Sequence, residues 1–254
     1  MITSTFLLPH PPIILPQIGK GREREIAATI TSCQEVAKKI AGLKPDTIVV
    51  ASPHSTCYSD YFHISPGDSA SGNLARFGAP EVGFSAEYDV ELAAEISKNA
   101  ADFAGCQGEQ SPQLDHGVLV PLAFVSELLD GFKLVRIGVS GLSLETHHDF
   151  GKTIAASAKL LSRRIVFIAS GDLSHVLPEE QGVKLDTKIV KLLKSGNLTQ
   201  LLQIPPEVIE NGAECGLRPL CIMAGVLHGL DFSARLLSYE GPFGVGYAVA
   251  EFNV

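Results

Sequence analysis

The stretch Ile165-Val166-Phe167-Ile168-Ala169-Ser170-Gly171-Asp172-Leu173-Ser174-His175 decides how the rest of the chain is read. An apolar run with β-branched residues reads as a strand, Gly171 permits a sharp turn, and a histidine follows in the loop. The same order of events occurs twice more. Thr5-Phe6-Leu7-Leu8 leads to His10, and Thr47-Ile48-Val49-Val50-Ala51 leads to His54. A fourth histidine, His116, opens a predicted helix in Leu114-Asp115-His116-Gly117. In a parallel α/β sheet, ligands collect outside the carboxyl ends of the strands. Imidazoles brought there from distant parts of the sequence predict one shared site, with a metal as its occupant.

Short β-branched runs alternate with longer amphipathic ones, the pattern of a sheet with helices on its faces. Strands are predicted at 3–8, 47–51, 133–139, 165–170, 232–239 and 246–252. Helices are predicted at 23–41, 90–103, 118–129, 144–161, 179–194 and 217–227. The first helix carries Ile26, Ile30, Cys33, Val36, Ala37 and Ile40 along one face, the spacing of a core-facing helix. Residues 65–83 have turn chemistry and no period, and read as a long functional or mobile loop. Without repeats or a linker, the expectation is a single α/β domain over 1–254: a central, mostly parallel sheet, helices on both faces, and a metal cleft at the strand carboxyl ends.

Composition narrows the class. A chain of 254 residues with 45% hydrophobic content can supply a large core. Its net charge of −8, with no basic stripe, argues against a nucleic-acid partner. No apolar run approaches the roughly 20 residues of a membrane span, and the first residues lack the positive start of a signal peptide. The five cysteines are scattered and form no C-x-x-C pair. That suits a reducing cytoplasm and disfavours a disulfide framework or a structural zinc site.

Each candidate also has a plain structural reading. His10 lies between prolines in Leu8-Pro9-His10-Pro11-Pro12, which restrict the backbone and fix where the imidazole points. The alternative is a surface histidine in a proline-rich turn. Ser52-Pro53-His54-Ser55 repeats the strand–proline–histidine design. Asp115 beside His116 could orient the ring and raise its basicity, or simply cap the helix. Ser174 next to His175 invites a serine-hydrolase reading, but G-x-S-x-G is absent and adjacent residues rarely face each other as nucleophile and base. Glu214 could serve as a ligand or answer the dipole of the following helix. Cys215 is an equally placed soft ligand, or a small buried apolar residue. His147 and His148 read as solvated, while Cys33, Cys106 and Cys221 read as packing.

Two histidines and a carboxylate would form the facial triad of non-haem iron(II) oxygen chemistry, whereas three histidines would suit zinc. The unligated imidazoles would then supply acid and base. In this order (Pro-His-Pro, Ser-Pro-His-Ser, Leu-Asp-His-Gly, Gly-Asp-Leu-Ser-His and a late glutamate), the chain resembles the class III extradiol dioxygenases of the LigB type over essentially its full length. The resemblance implies Fe(2+) held by His10, His54 and Glu214, with His175 as base and His116, supported by Asp115, as acid. It further implies a small catecholic substrate, O2 as co-substrate, and a homodimer or a second subunit.

The segment Glu214-Cys215-Gly216-Leu217-Arg218-Pro219 resembles the Memo branch of that superfamily equally well. That branch implies a metal-binding, interaction or redox protein of the same fold without ring cleavage. Cys215 would then be the third ligand, and the thiolate would alter metal preference. A zinc hydrolase is a third reading, permitted by the extra histidines.

Overall fold

Alternate residues of the central strands feed two separate cores, as the period of two in an extended chain requires. The computed structural model describes residues 1–108 and 113–254. Along the chain, the strands are β1 (Ile2–Leu8), β2 (Thr47–Ser52), β3 (Phe62–His63), β4 (Ser69–Leu74), β5 (Ala79–Glu87), β6 (Cys106–Gln107), β7 (Lys133–Gly138), β8 (Ile165–Ser170), β9 (Ser233–Glu240) and β10 (Tyr247–Asn253). The α-helices are α1 (Pro16–Gly19), α2 (Ala27–Leu43), α3 (Val90–Ala100), α4 (His116–Ser126), α5 (Leu144–Leu160), α6 (Glu180–Ser195), α7 (Pro206–Gly212) and α8 (Leu217–Val226).

The six-stranded sheet runs β7-β2-β8-β1-β10-β9. The first four strands are parallel, and β10 and β9 close the edge antiparallel to their neighbours. Leu7, Val49, Phe167 and Ala169 face one core with Phe150 of α5 and Leu220 of α8. Phe6, Ile48, Val50 and Ile168 face the other with Val36 of α2 and Val118 of α4. Burying each such side chain contributes roughly 1.5–3 kcal/mol. This is the expected single-domain α/β architecture, with all six anticipated strands of the main sheet in place.

Register brings the loops together. Leu8 pairs with Ser170, and Ala51 pairs with Ala169, so β1, β8 and β2 end at one level as immediate neighbours. The loops carrying His10, His175 and His54 therefore leave the sheet side by side. Helix α8 is brought to the same end by two glycine contacts. A Cβ on Gly225 would lie 1.8 Å from the carbonyl oxygen of His148, and one on Gly151 would lie 2.0 Å from that of Ile222, so α5 and α8 touch backbone to backbone. At the head of α8, a Cβ on Gly171 would fall 2.3 Å from Cα of Gly216.

Two sequence expectations are corrected. Residues 65–83 are not a long loop: β4 and β5 pair antiparallel from Ser69↔Glu87 to Leu74↔Ala79. Gly72 marks a close approach, since a Cβ there would sit 2.8 Å from the carbonyl oxygen of Leu114, whereas Gly78, at φ 83°, makes the turn. His147 and His148 are buried, not solvated. His147 Nδ1 lies 2.7 Å from the Ser143 carbonyl, and its Nε2 accepts from the Ser140 N–H at 3.2 Å, which ties down the turn into α5. Among the described residues, no helix is long and apolar enough to cross a membrane.

Gly225→Ala is expected to lower stability by about 1–3 kcal/mol, because the new methyl has no room between α5 and α8. Gly42→Ala, at a helical site with nothing within 4 Å of the added carbon, is expected to be neutral or stabilising. Denaturant midpoints of the two variants against the parent check both.

Candidate metal centre

Three donor atoms from the beginning, the first quarter and the last fifth of the chain converge above the parallel strands. His10 Nε2 and His54 Nε2 are 3.0 Å apart, and Cys215 Sγ lies 3.6 Å from His10 Nε2. The ligand atoms of His10, His54 and Cys215 all fall within 4.8 Å of one another. A second group, Asp172, His175 and Cys215, meets the same test and shares the sulfur. Cys215 Sγ is 3.7 Å from His175 Nε2. The ring of His116 lies 4.0 Å from that of His54 and 5.3 Å from that of His10. All four strand-end and helix-start histidines singled out from the sequence are thus gathered at one place.

The carboxylates are placed differently from expectation. Glu214 accepts the backbone N–H of Leu217 at the head of α8, and among the described residues it completes no donor group with His10 and His54. Asp115 sits at the N-cap position of α4, but its side chain makes no cap bond. It accepts instead from Ser52 Oγ at 2.5 Å and from Ser55 Oγ at 2.8 Å. Asp172, named from the sequence only as a hydrogen-bond acceptor, takes the His10 backbone N–H at 2.9 Å. Its own N–H donates to Cys215 Sγ at 3.3 Å. Phe77, at the turn of the β4–β5 hairpin, holds its ring 5.2 Å from that of His116 and was not anticipated. Its only sequence signal was a large apolar residue within a polar segment.

Electrostatics make the cluster receptive to a cation. Burial lowers the pKa of His10, and the neighbouring imidazoles of His54, His116 and His175 lower it further. Burial also lowers His54 and His175, and brings His116 down to about 4. These rings are neutral near pH 7 and offer lone pairs. The Cys215 thiol is pushed up by burial and by the charge of Asp172. Burial also raises Asp172 and Glu214, each to about 7.

The spacing fits a bound ion. A four-coordinate ion with N ligands near 2.0–2.1 Å and sulfur near 2.3 Å separates neighbouring nitrogens by about 3.3 Å and nitrogen from sulfur by about 3.6 Å.

A carboxyl whose folded pKa exceeds its unfolded value binds its proton more tightly when folded. It therefore favours folding below the unfolded pKa and loses that contribution as pH rises through the folded one. For Asp172 this window runs from about 4 to about 7. The buried histidines, whose pKa values are lowered, act in the opposite sense and favour folding as pH rises over the same range. Asp172→Asn should therefore raise the melting temperature at pH 8 relative to that at pH 5, compared with the parent, which thermal unfolding in the presence of a chelator measures directly.

A family model described as the catalytic LigB subunit of aromatic ring-opening dioxygenase matches residues 4–250. Protein CA_C1420 of Clostridium acetobutylicum is 36% identical over 275 residues, covering 99% of this chain and 58% of that protein. MEMO1 family protein MJ0403 of Methanocaldococcus jannaschii is 29% identical over 233 residues, covering 86% of this chain and 76% of that one. MEMO1 family protein MmarC6_1286 of Methanococcus maripaludis is 31% identical over 159 residues, covering 55% and 53%. The chain thus corresponds to only 53–76% of the length of these relatives. The crystal structure of the Escherichia coli K12 protein JW3007 shares the fold, with a TM-score of 0.65 at 15% identity and coverage of 98% and 99%. By its full-length match, the chain belongs to the LigB family, and MEMO1 family proteins are among its relatives.

Proposed function

We propose that this chain is a Memo-like metal-binding redox protein holding one transition-metal ion between His10, His54 and Cys215. The supporting observation is the sulfur: Cys215 Sγ stands with the two imidazoles, 3.6 Å from His10 Nε2, while the Glu214 carboxylate is engaged by the Leu217 N–H. A mixed imidazole–thiolate set suits iron(II), copper or zinc better than magnesium or calcium. Iron(II) there would supply Lewis acidity and one-electron chemistry with O2, zinc only the former.

The chain's own residues define what reaches that ion. His54 and His175 are exposed at the mouth, His10 is buried at the floor, and Phe77 covers His116 from the hairpin. His116, neutral near pH 7, is placed to accept a proton from a ligand that enters beside His54. His175, on the sulfur side, is placed for a second proton transfer.

The same two imidazoles support a second reading, ring cleavage of a catecholic substrate with O2, in which His175 acts as base and His116 as acid. The thiolate favours the first reading, because it replaces the carboxylate that the ring-opening ligand set calls for.

Anaerobic loading with iron(II), followed by elemental analysis, is expected to give one ion per chain in the parent and in Glu214→Ala. Cys215→Ser should weaken binding at least about tenfold. The opposite pattern would restore Glu214 as the ligand. Because burial keeps the thiol protonated, ligation releases a proton, and apparent affinity should rise roughly tenfold per pH unit between about pH 6 and 8. Cys215→Ser should lose that slope. Loaded protein given catechol and O2 is expected to form no yellow ring-opened product; its appearance would favour the second reading.

A further inference from the structure

Three serines of the histidine segments, Ser52, Ser55 and Ser170, have no part in the function proposed so far, yet they converge on one turn of helix. Ser170, the last residue of β8, is fully buried and places Oγ 2.9 Å from His10 Nδ1. The same hydroxyl donates to the carbonyl oxygen of Gly117. A carbonyl only accepts, so the single serine proton is committed there. The serine oxygen can therefore only accept from His10, which places the imidazole proton on Nδ1. His10 Nε2 is left as a bare lone pair facing His54 Nε2 at 3.0 Å.

The Gly117 carbonyl is free for this because of Pro121. In an α-helix the carbonyl of residue 117 would accept the N–H of residue 121, but proline has none. Proline in a helix interior usually costs stability; here the carbonyl it orphans is satisfied by Ser170.

The second ligand is held by the same turn. The His54 N–H donates to Ser52 Oγ at 3.2 Å, and Ser52 Oγ donates to Asp115 Oδ1 at 2.5 Å. Ser55 Oγ donates to Asp115 Oδ2 at 2.8 Å, so one carboxylate grips the loop on both sides of His54. Gly117 must lack a side chain for this, since a Cβ there would lie 2.3 Å from Ser52 Oγ and 3.0 Å from Asp115 Oδ1.

We infer that the first turn of α4 is a brace for both imidazole ligands: the Gly117 carbonyl, freed by Pro121, sets the tautomer of His10 through Ser170, and Asp115 clamps the His54 loop through Ser52 and Ser55. Ser170 and Asp115 are positioning residues, acting on the ion only through the rings they orient. Such outer partners commonly govern metal affinity as strongly as ligand geometry does. The assignment differs from the sequence expectation, in which Asp115 supported His116.

The inference rests on the metal-binding reading, and two measurements keep the two apart. In metal-free protein, nitrogen NMR of the His10 ring should report the Nδ1-protonated tautomer, and Ser170→Ala should convert it to a mixture. A parent protein with the proton on Nε2 overturns the brace, whether or not metal binds. In iron(II) competition against a chelator, Ser170→Ala and Asp115→Asn should each bind about ten- to a hundredfold more weakly, with far-UV circular dichroism unchanged. Thr31→Ala, on the exposed face of α2, should match the parent. Folded variants that bind within about twofold of the parent overturn the brace. A parent that binds no iron(II) overturns the metal reading and leaves the tautomer measurement to decide the brace.

Discussion

Gly171 and Gly216 meet backbone to backbone, in a gap where a single added carbon would fall 2.3 Å from a neighbouring Cα. Everything at the strand ends depends on that approach. It places Cys215 against Asp172, with a backbone N–H donated to the sulfur and a return bond from the Cys215 N–H to the Asp172 carbonyl. Asp172 in turn holds the His10 backbone. A residue late in the chain is thereby fixed beside one near its start, through bonds in each of which a backbone N–H is the donor. The α5–α8 glycine pair sets the same helix from its other end, so α8 has little freedom to slide.

A cluster assembled this tightly carries an electrostatic cost. Several imidazoles, a thiol and two carboxyls occupy a partly dry space, and each is pushed toward its neutral form. Burial drives the shift in every case, and mutual repulsion among the rings adds to it at His10. Neutral imidazoles set at this spacing present lone pairs that suit a positive ion. The local strain in protonation and the donor spacing therefore argue in the same direction.

The parallel strands were legible because their β-branched runs are bounded by glycine and proline, and the convergence of four histidines followed from the rule for strand carboxyl ends. What could not be read was which side chains face one another. Glu214 and Cys215 are adjacent, and backbone bonds at Leu217 and Gly216 turn the glutamate away from the rings. The β4–β5 hairpin was hidden because Gly72 and the serines beside it, which permit close packing on Leu114, have the composition of a turn. His147 and His148 follow a polar capping sequence, and their burial comes from tertiary contacts that no local window contains. The three bracing serines were quoted within the motifs but lacked any signal of their own, since a hydroxyl's partner is set by distant residues.

The hairpin docks where the Leu114 N–H donates to the Ser71 carbonyl at 3.0 Å, one residue before Asp115. The hairpin thus roofs the cleft, and it is joined to the body of the fold also by Phe84 on Phe132 and by the bridge from Tyr88 to Leu134. Arg76 and Phe77 at the exposed tip meet the cleft at His116, Arg76 through its charge and Phe77 through its ring. On the proposed metal reading, a roof that meets the site only at its rim would let the same grip on an ion serve differently shaped visitors.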